Sequence, residues 1–196
     1  MIDYFALLDQ PRAPWLDPAL LKETFQQKTL RTHPDVQPRI PGAVAAGPAF
    51  ATLNEAYQVL QDPKRRLHHL LSLEGAAPSS ANQAVPAQLQ DLFPKIGGLT
   101  QRSTLLLEKV RSSSNALSRS LLKPQMLEAQ QEVKEVRETI QSLTDASLEQ
   151  LRQIDDDWKK DPTGQIEPLS RLYFVFAYLT RWSKQLDEML FQLSLE

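Results

Sequence analysis

The sequence predicts an all-α protein in two parts. A helical unit over residues 1–74 precedes a linker at 75–88, and an antiparallel helical bundle follows over 89–196. Three observations carry this. Apolar residues recur at intervals of three and four along most of the chain. No segment shows the period-two alternation of a strand. Residues 75–88, GAAPSSANQAVPAQ, carry no charge and collect Gly, Pro, Ala and Ser, the composition of a flexible connection.

The N-terminal elements follow in order. DYFALLD (3–9) reads as a short helix burying Tyr4, Phe5, Leu7 and Leu8. Asp17 offers an N-cap oxygen, and Pro18 takes the first helical position, where its missing N–H is no loss. The helix they open, DPALLKETFQQKTLRT, sets Leu21 and Phe25 four apart on one face. Proline disfavours helical backbone for the residue before it, so Pro34 stops this helix at Thr32 or His33. After a loop, Phe50, Leu53, Tyr57 and Leu60 recur at 3, 4 and 3, a second helix antiparallel to the first. Asp62-Pro63 opens KRRLHHLLSL, whose Leu67, Leu70 and Leu71 can pack back on the unit.

Beyond the linker every segment reads as helix. Gln101–Leu122 places Leu106, Val110, Leu117 and Leu121 on one stripe, and Pro124 separates it from the next. Met126, Ala129, Val133, Val136, Ile140 and Leu143 then form a seam of coiled-coil type. Asp145 can cap a continuation through Leu148, Leu151 and Trp158. DPTG (161–164) is a turn. The last helix, from about Pro168, sets Leu172, Leu179, Leu186 and Leu193 seven apart, with Val175, Trp182 and Met189 three residues after the first three. Short connections between such helices make a bundle.

Composition narrows the function. The chain is 41% hydrophobic and 23% charged with a net charge of -2, enough apolar content for a real core. No apolar run nears the roughly 20 residues of a membrane span, and the N-terminus lacks the basic-then-apolar order of a secretory signal. A soluble, cytoplasmic chain is expected. There is no cysteine, so thiolate metal sites and cysteine nucleophiles are excluded. His68 and His69 diverge by about 100° on a helix and make a poor chelating pair. No cofactor or metal is expected.

Residues 94–123 hold six basic groups against Glu108, whereas residues 124–196 hold eight basic and fourteen acidic groups. Complementary faces on neighbouring helices explain this most simply. A nucleic-acid surface would want aromatics interleaved with the basic residues, so neither nucleic acid nor membrane is an expected partner. Asp155-Asp156-Asp157 reads as a solvated helix end without an acid/base partner, and no catalytic residue is assigned.

His33-Pro34-Asp35 lies between the two helices of the hairpin. Alone, the tripeptide suits an ordinary helix-ending turn. Together with DYFALLD, DPALLKETFQQKTLRTHPD and LNEAYQVLQDPKRRLHHLLSLEG, it resembles the J-domain of co-chaperones, and more narrowly that of the HscB type of iron-sulfur cluster assembly. Pro63, Arg65 or Arg66, and the Leu70–Gly75 ending are the discriminating part. The resemblance covers about residues 3–75 and is architectural beyond them.

This resemblance implies that His33, Pro34 and Asp35, with Lys22, Lys28 and Arg31 on the preceding helix, dock on a DnaK/HscA-type chaperone and stimulate its ATPase. Asp35 would accept a charge-assisted hydrogen bond, and the basic residues would steer association. Thr32, Val36, Gln26 and Gln27 depart from the residues usual at their positions. In the HscB family the bundle binds the IscU-type scaffold through its first and last helices. Leu106, Phe174 and Tyr178 are the candidate client contacts here. The family's acidic first bundle helix is replaced by the basic, Ser-rich TQRSTLLLEKVRSSSNALSR. The other reading is therefore a J-domain protein that recruits a DnaK-type chaperone to an unrelated client.

Overall fold

The computed structural model describes residues 1–32, 47–78, 85–113 and 115–195. These form α1 (Tyr4–Leu7), α2 (Pro18–Thr32), α3 (Gly47–Gln61), α4 (Pro63–Leu73), α5 (Leu92–Ser112), α6 (Ala116–Trp158) and α7 (Ile166–Leu195), with 3-10 turns at Ala87–Leu89 and Thr163–Gln165. No strand occurs among the described residues, and the all-α expectation holds. Contacts gather the chain into two compact units. One is Met1–Asn82 with Leu148–Tyr173, and the other is Gln83–Ser147 with Phe174–Glu196. The end of α6 and the start of α7 therefore belong with the N-terminal residues.

Capping chemistry sets the helix ends in the first unit. Asp3 accepts from the amides of Phe5 (3.0 Å) and Ala6 (3.2 Å). α1 closes on Asp9, at φ 50°, with Gln10 N–H donating to Phe5 O and Asp9 N–H to Ala6 O. That is a Schellman end with aspartate tolerating the left-handed position. Asp17 caps α2 through the amides of Ala19 (2.8 Å) and Leu20 (3.2 Å), and Asp62 caps α4 through Arg65 N–H (2.9 Å). Gly75, at φ 74°, ends α4 in a second Schellman motif. Phe5, Leu8, Leu21, Leu60, Leu67, Leu70 and Leu71 are fully buried, each stabilising the fold by about 1.5–3 kcal/mol. Phe25 of α2 stacks on Tyr57 of α3, ring centres 4.3 Å apart at 13°.

The second unit is an up-down-up bundle. α6 and α7 pair in opposite order, Gln130 Nε2 donating to Leu193 O and Arg137 pairing with Asp187. α5 and α7 pair in the same order, Gln185 Nε2 donating to Thr100 Oγ1 and Arg111 to Gln192. Arg102 of α5 meets Glu132 of α6. The basic stretch thus meets an acidic group of the following stretch at Arg102–Glu132. Val133, Val136 and Ile140 of the seam are buried, as are Leu179, Leu186 and Leu193, while Leu172 is buried in the first unit.

Four expectations need correction. The break between α5 and α6 falls at 113–115, not at Pro124, which lies inside α6. The Ser112 and Ser113 hydroxyls both donate to Lys109 O, diverting the backbone from helix, and Asn115 caps α6 by accepting from Ser118 N–H at 2.7 Å. Pro124 is exposed, so the Ser120 carbonyl it leaves without an intrahelical partner can be hydrated. The new break shifts the helical phase, and Leu117 and Leu121 stand 73% and 70% exposed rather than continuing the buried stripe of Leu106 and Val110. Asp145 caps nothing: it lies mid-helix and accepts from Gln141 Nε2 at 2.9 Å. Asp155 is buried rather than solvated.

Candidate functional site

α2 carries the three candidate cations. Lys22 and Arg31 are exposed, and half-buried Lys28 pairs with Asp9 at 2.7 Å. Lys28 and Arg31, three apart, are neighbours on the helix surface. Lys22 sits nine residues before Arg31, about 180° around the axis. The helix therefore presents a Lys28–Arg31 pair on one side and Lys22 on the other, not one basic face. Arg31 also lies in the last turn, where a cation is favoured by the helix dipole. Gln27 donates to Glu23 at 3.1 Å on the solvent side. His33, Pro34 and Asp35 lie outside the described residues.

The helices behind this surface are held by a polar brace absent from the sequence-based expectations. Arg66 is 4% exposed; its Nε donates to Pro14 O (2.8 Å) and its Nη1 to Leu60 O (2.6 Å). Burial lowers its guanidinium to about 10, with Asp62 and Asp155 opposing the shift. Asp155 accepts from Trp15 N–H at 3.2 Å and pairs with Lys159 at 2.8 Å. Trp158 Nε1–H donates to Arg12 O at 2.9 Å, and the Arg152 guanidinium lies 5.2 Å above the Trp15 ring. Residues 12–15 are thereby gripped by α4 on one side and the last turns of α6 on the other. The signal was present: Arg66 is four residues before buried Leu70, and Asp155 lies between Leu151 and Trp158 at intervals of four and three. Both positions fall on apolar faces.

The start of the chain is tied down in the same way. Tyr4 N–H donates to His69 Nε2 at 3.1 Å, and the imidazole stacks on Tyr4 and Phe5. Burial lowers the His69 pKa; nearby Asp3 opposes this, while His68 and Arg12 reinforce it. Burial also works against the charge of Asp3, but Arg12 and the amides of Ala6 and Phe5 outweigh it and hold that carboxyl below its ordinary value.

Among the client candidates, Leu106 and Phe174 are buried within the second unit. Tyr178 is half-buried, its ring 5.2 Å from Phe93 and 5.7 Å from Trp182. Phe93 also meets Trp182 edge-on at 4.8 Å. Phe93, 37% exposed, is the aromatic of this cluster that sequence reasoning passed over; it precedes the seam, so no periodic pattern singles it out. Among the described residues, no group of three or more His, Asp or Glu could hold a metal ion, and no helix is long and apolar enough to cross a membrane.

Residues 3–69 match the DnaJ domain family. The co-chaperone HscB homologue of Vibrio cholerae serotype O1 is 35% identical over 86 residues, 43% of this chain and 50% of that protein. Co-chaperone HscB of Proteus mirabilis is 33% identical over 89 residues, again 43% and 50% of the two chains. The chain spans about half the length of these curated relatives. The crystal structure of human co-chaperone HscB superposes with a TM-score of 0.49 at 18% identity, covering 95% of this chain and 81% of that one.

Proposed function

We propose, from the premise that this chain is a DnaJ-domain protein similar to HscB-type co-chaperones, that it stimulates the ATPase of a DnaK/HscA-type chaperone and delivers a client to it. His33, Pro34 and Asp35, together with Lys22, Lys28 and Arg31 of α2, form the chaperone-docking surface. The observation that supports this reading is the DnaJ match over residues 3–69, a span in which His33-Pro34-Asp35 falls, in sequence, between α2 and α3. Such a protein needs no active site of its own, since the hydrolysis belongs to its partner.

The client is an IscU-type cluster scaffold, held by the bundle of the second unit. Tyr178, half-buried beside exposed Phe93, is the anchor the geometry favours, whereas Leu106 and Phe174 would serve as the packing beneath it. A second reading, recruitment of a DnaK-type chaperone to an unrelated client, draws on the basic character of residues 94–123. Calorimetric titration of the full chain with an IscU-type scaffold separates the two. Saturable binding weakened by Tyr178→Ala supports the scaffold reading. Absence of heat and of co-elution favours the other client.

A further inference from the structure

A recess of about 320 Å³ in the first unit is lined by Tyr4, Val59, Lys64, Arg65, His68, His69 and Tyr173. Its polar lining is almost entirely donors. His69 is 94% buried by complement of its 6% exposure. Because its Nε2 accepts the Tyr4 amide proton, the ring proton sits on Nδ1. That N–H makes no hydrogen bond among the described residues and keeps some contact with solvent. Neither Lys64 nor Arg65 forms an ion pair among the described residues; Arg65 reaches only the Gln58 carbonyl, at 3.4 Å. The His68 ring leans on Tyr173, centres 5.7 Å apart. Two carboxylates stand nearby: Glu55, engaged by the Tyr4 hydroxyl, and Asp3, which acts on His69 but is paired with Arg12 and the amides of Phe5 and Ala6. The amides of the first turn of α4 contribute nothing, since Asp62 takes those of Arg65 and Arg66.

We propose that this recess binds an oxyanion of the phosphate class, held by Lys64, Arg65, His68 and the Nδ1–H of His69. The chemistry follows from the donor set. Two cations and two imidazoles line a space large enough for a tetrahedral anion with a small organic substituent, and charge-assisted hydrogen bonds to phosphate oxygens are the strong kind. This site uses none of the residues assigned to chaperone docking and does not depend on the function proposed above.

The test uses the full chain and the imidazole NMR resonances of its three histidines. Inorganic phosphate and glycerol phosphate are titrated separately at constant ionic strength, with chloride as the control. The expected result is a saturable shift of His68 and His69 with His33 stationary. Lys64→Gln or Arg65→Gln should weaken the apparent affinity about tenfold, the loss of one charge-assisted contact. Saturation by both probes makes a phosphate ester the ligand, and saturation by inorganic phosphate alone makes it the free ion; both support the site. Shifts that fail to saturate, that move His33 equally, or that both variants leave unchanged would overturn it.

Discussion

The backbone amide of Tyr4 donates to Nε2 of His69, sixty-five residues away in sequence. The first N–H groups of a helix have no partner within it, and here an imidazole from α4 satisfies the one at the start of α1. Only a neutral ring can accept this bond. Burial lowers the folded-state pKa of His69, so the unfolded chain takes up the proton more readily. The stability this residue contributes is fully present above its unfolded pKa, about 6.5. It is lost as pH falls from there towards the folded value. Urea midpoints should decline over that interval, and His69→Gln, which accepts without titrating, should flatten the decline.

Arg66→Ala should be among the most damaging single changes in the first unit. It strips the Pro14 and Leu60 carbonyls of their donor and leaves Asp155 without its buried cation. A loss of about 3–5 kcal/mol is expected, as for breaking a buried charged network from one side. Asp155→Asn, which keeps an acceptor for Trp15 N–H, should lose only about 1–2 kcal/mol. Chemical denaturation of both variants checks the order, and equal losses would contradict this description of the brace.

Pro124 lies inside α6 and lacks the N–H that the helix would use there. Pro124→Ala should raise the stability of the second unit, by up to about 3 kcal/mol in a helix interior. Asn115→Ala should lower it by about 1 kcal/mol through loss of the N-cap. Thermal melts of the two variants should therefore shift in opposite directions.

The Phe25–Tyr57 stack joins the two helices that flank His33-Pro34-Asp35. A double-mutant cycle with Phe25→Leu and Tyr57→Leu should give a coupling of about 0.5–1.5 kcal/mol. Under the proposed function, Tyr57→Leu should also weaken ATPase stimulation of a DnaK-type partner while the protein stays folded.

What could be read from the sequence was whatever a short window determines. Asp17-Pro18 and Asp62-Pro63 carry their capping chemistry locally, and the heptad spacing of Leu172 to Leu193 marks a buried face without knowledge of its partner. Pro124 misled because proline is the stronger breaker by propensity, yet Ser112, Ser113 and Asn115 supplied competing hydrogen bonds that ended α5 first. Asp155 looked solvated among three consecutive aspartates; its acceptor role needs Trp15, 140 residues away in sequence. At the candidate site, Lys22, Lys28 and Arg31 read as one basic set, and the helix turns Lys22 away from the other two. His33, Pro34 and Asp35 were legible as a motif through their neighbours in sequence rather than through any geometry.

The most direct test is steady-state ATP hydrolysis by a DnaK-type chaperone from the same source, with this chain or its His33→Gln variant added. The account predicts a saturable rise with the wild-type chain and none with the variant, while both show the same thermal melt. Equal stimulation by the two proteins would contradict it.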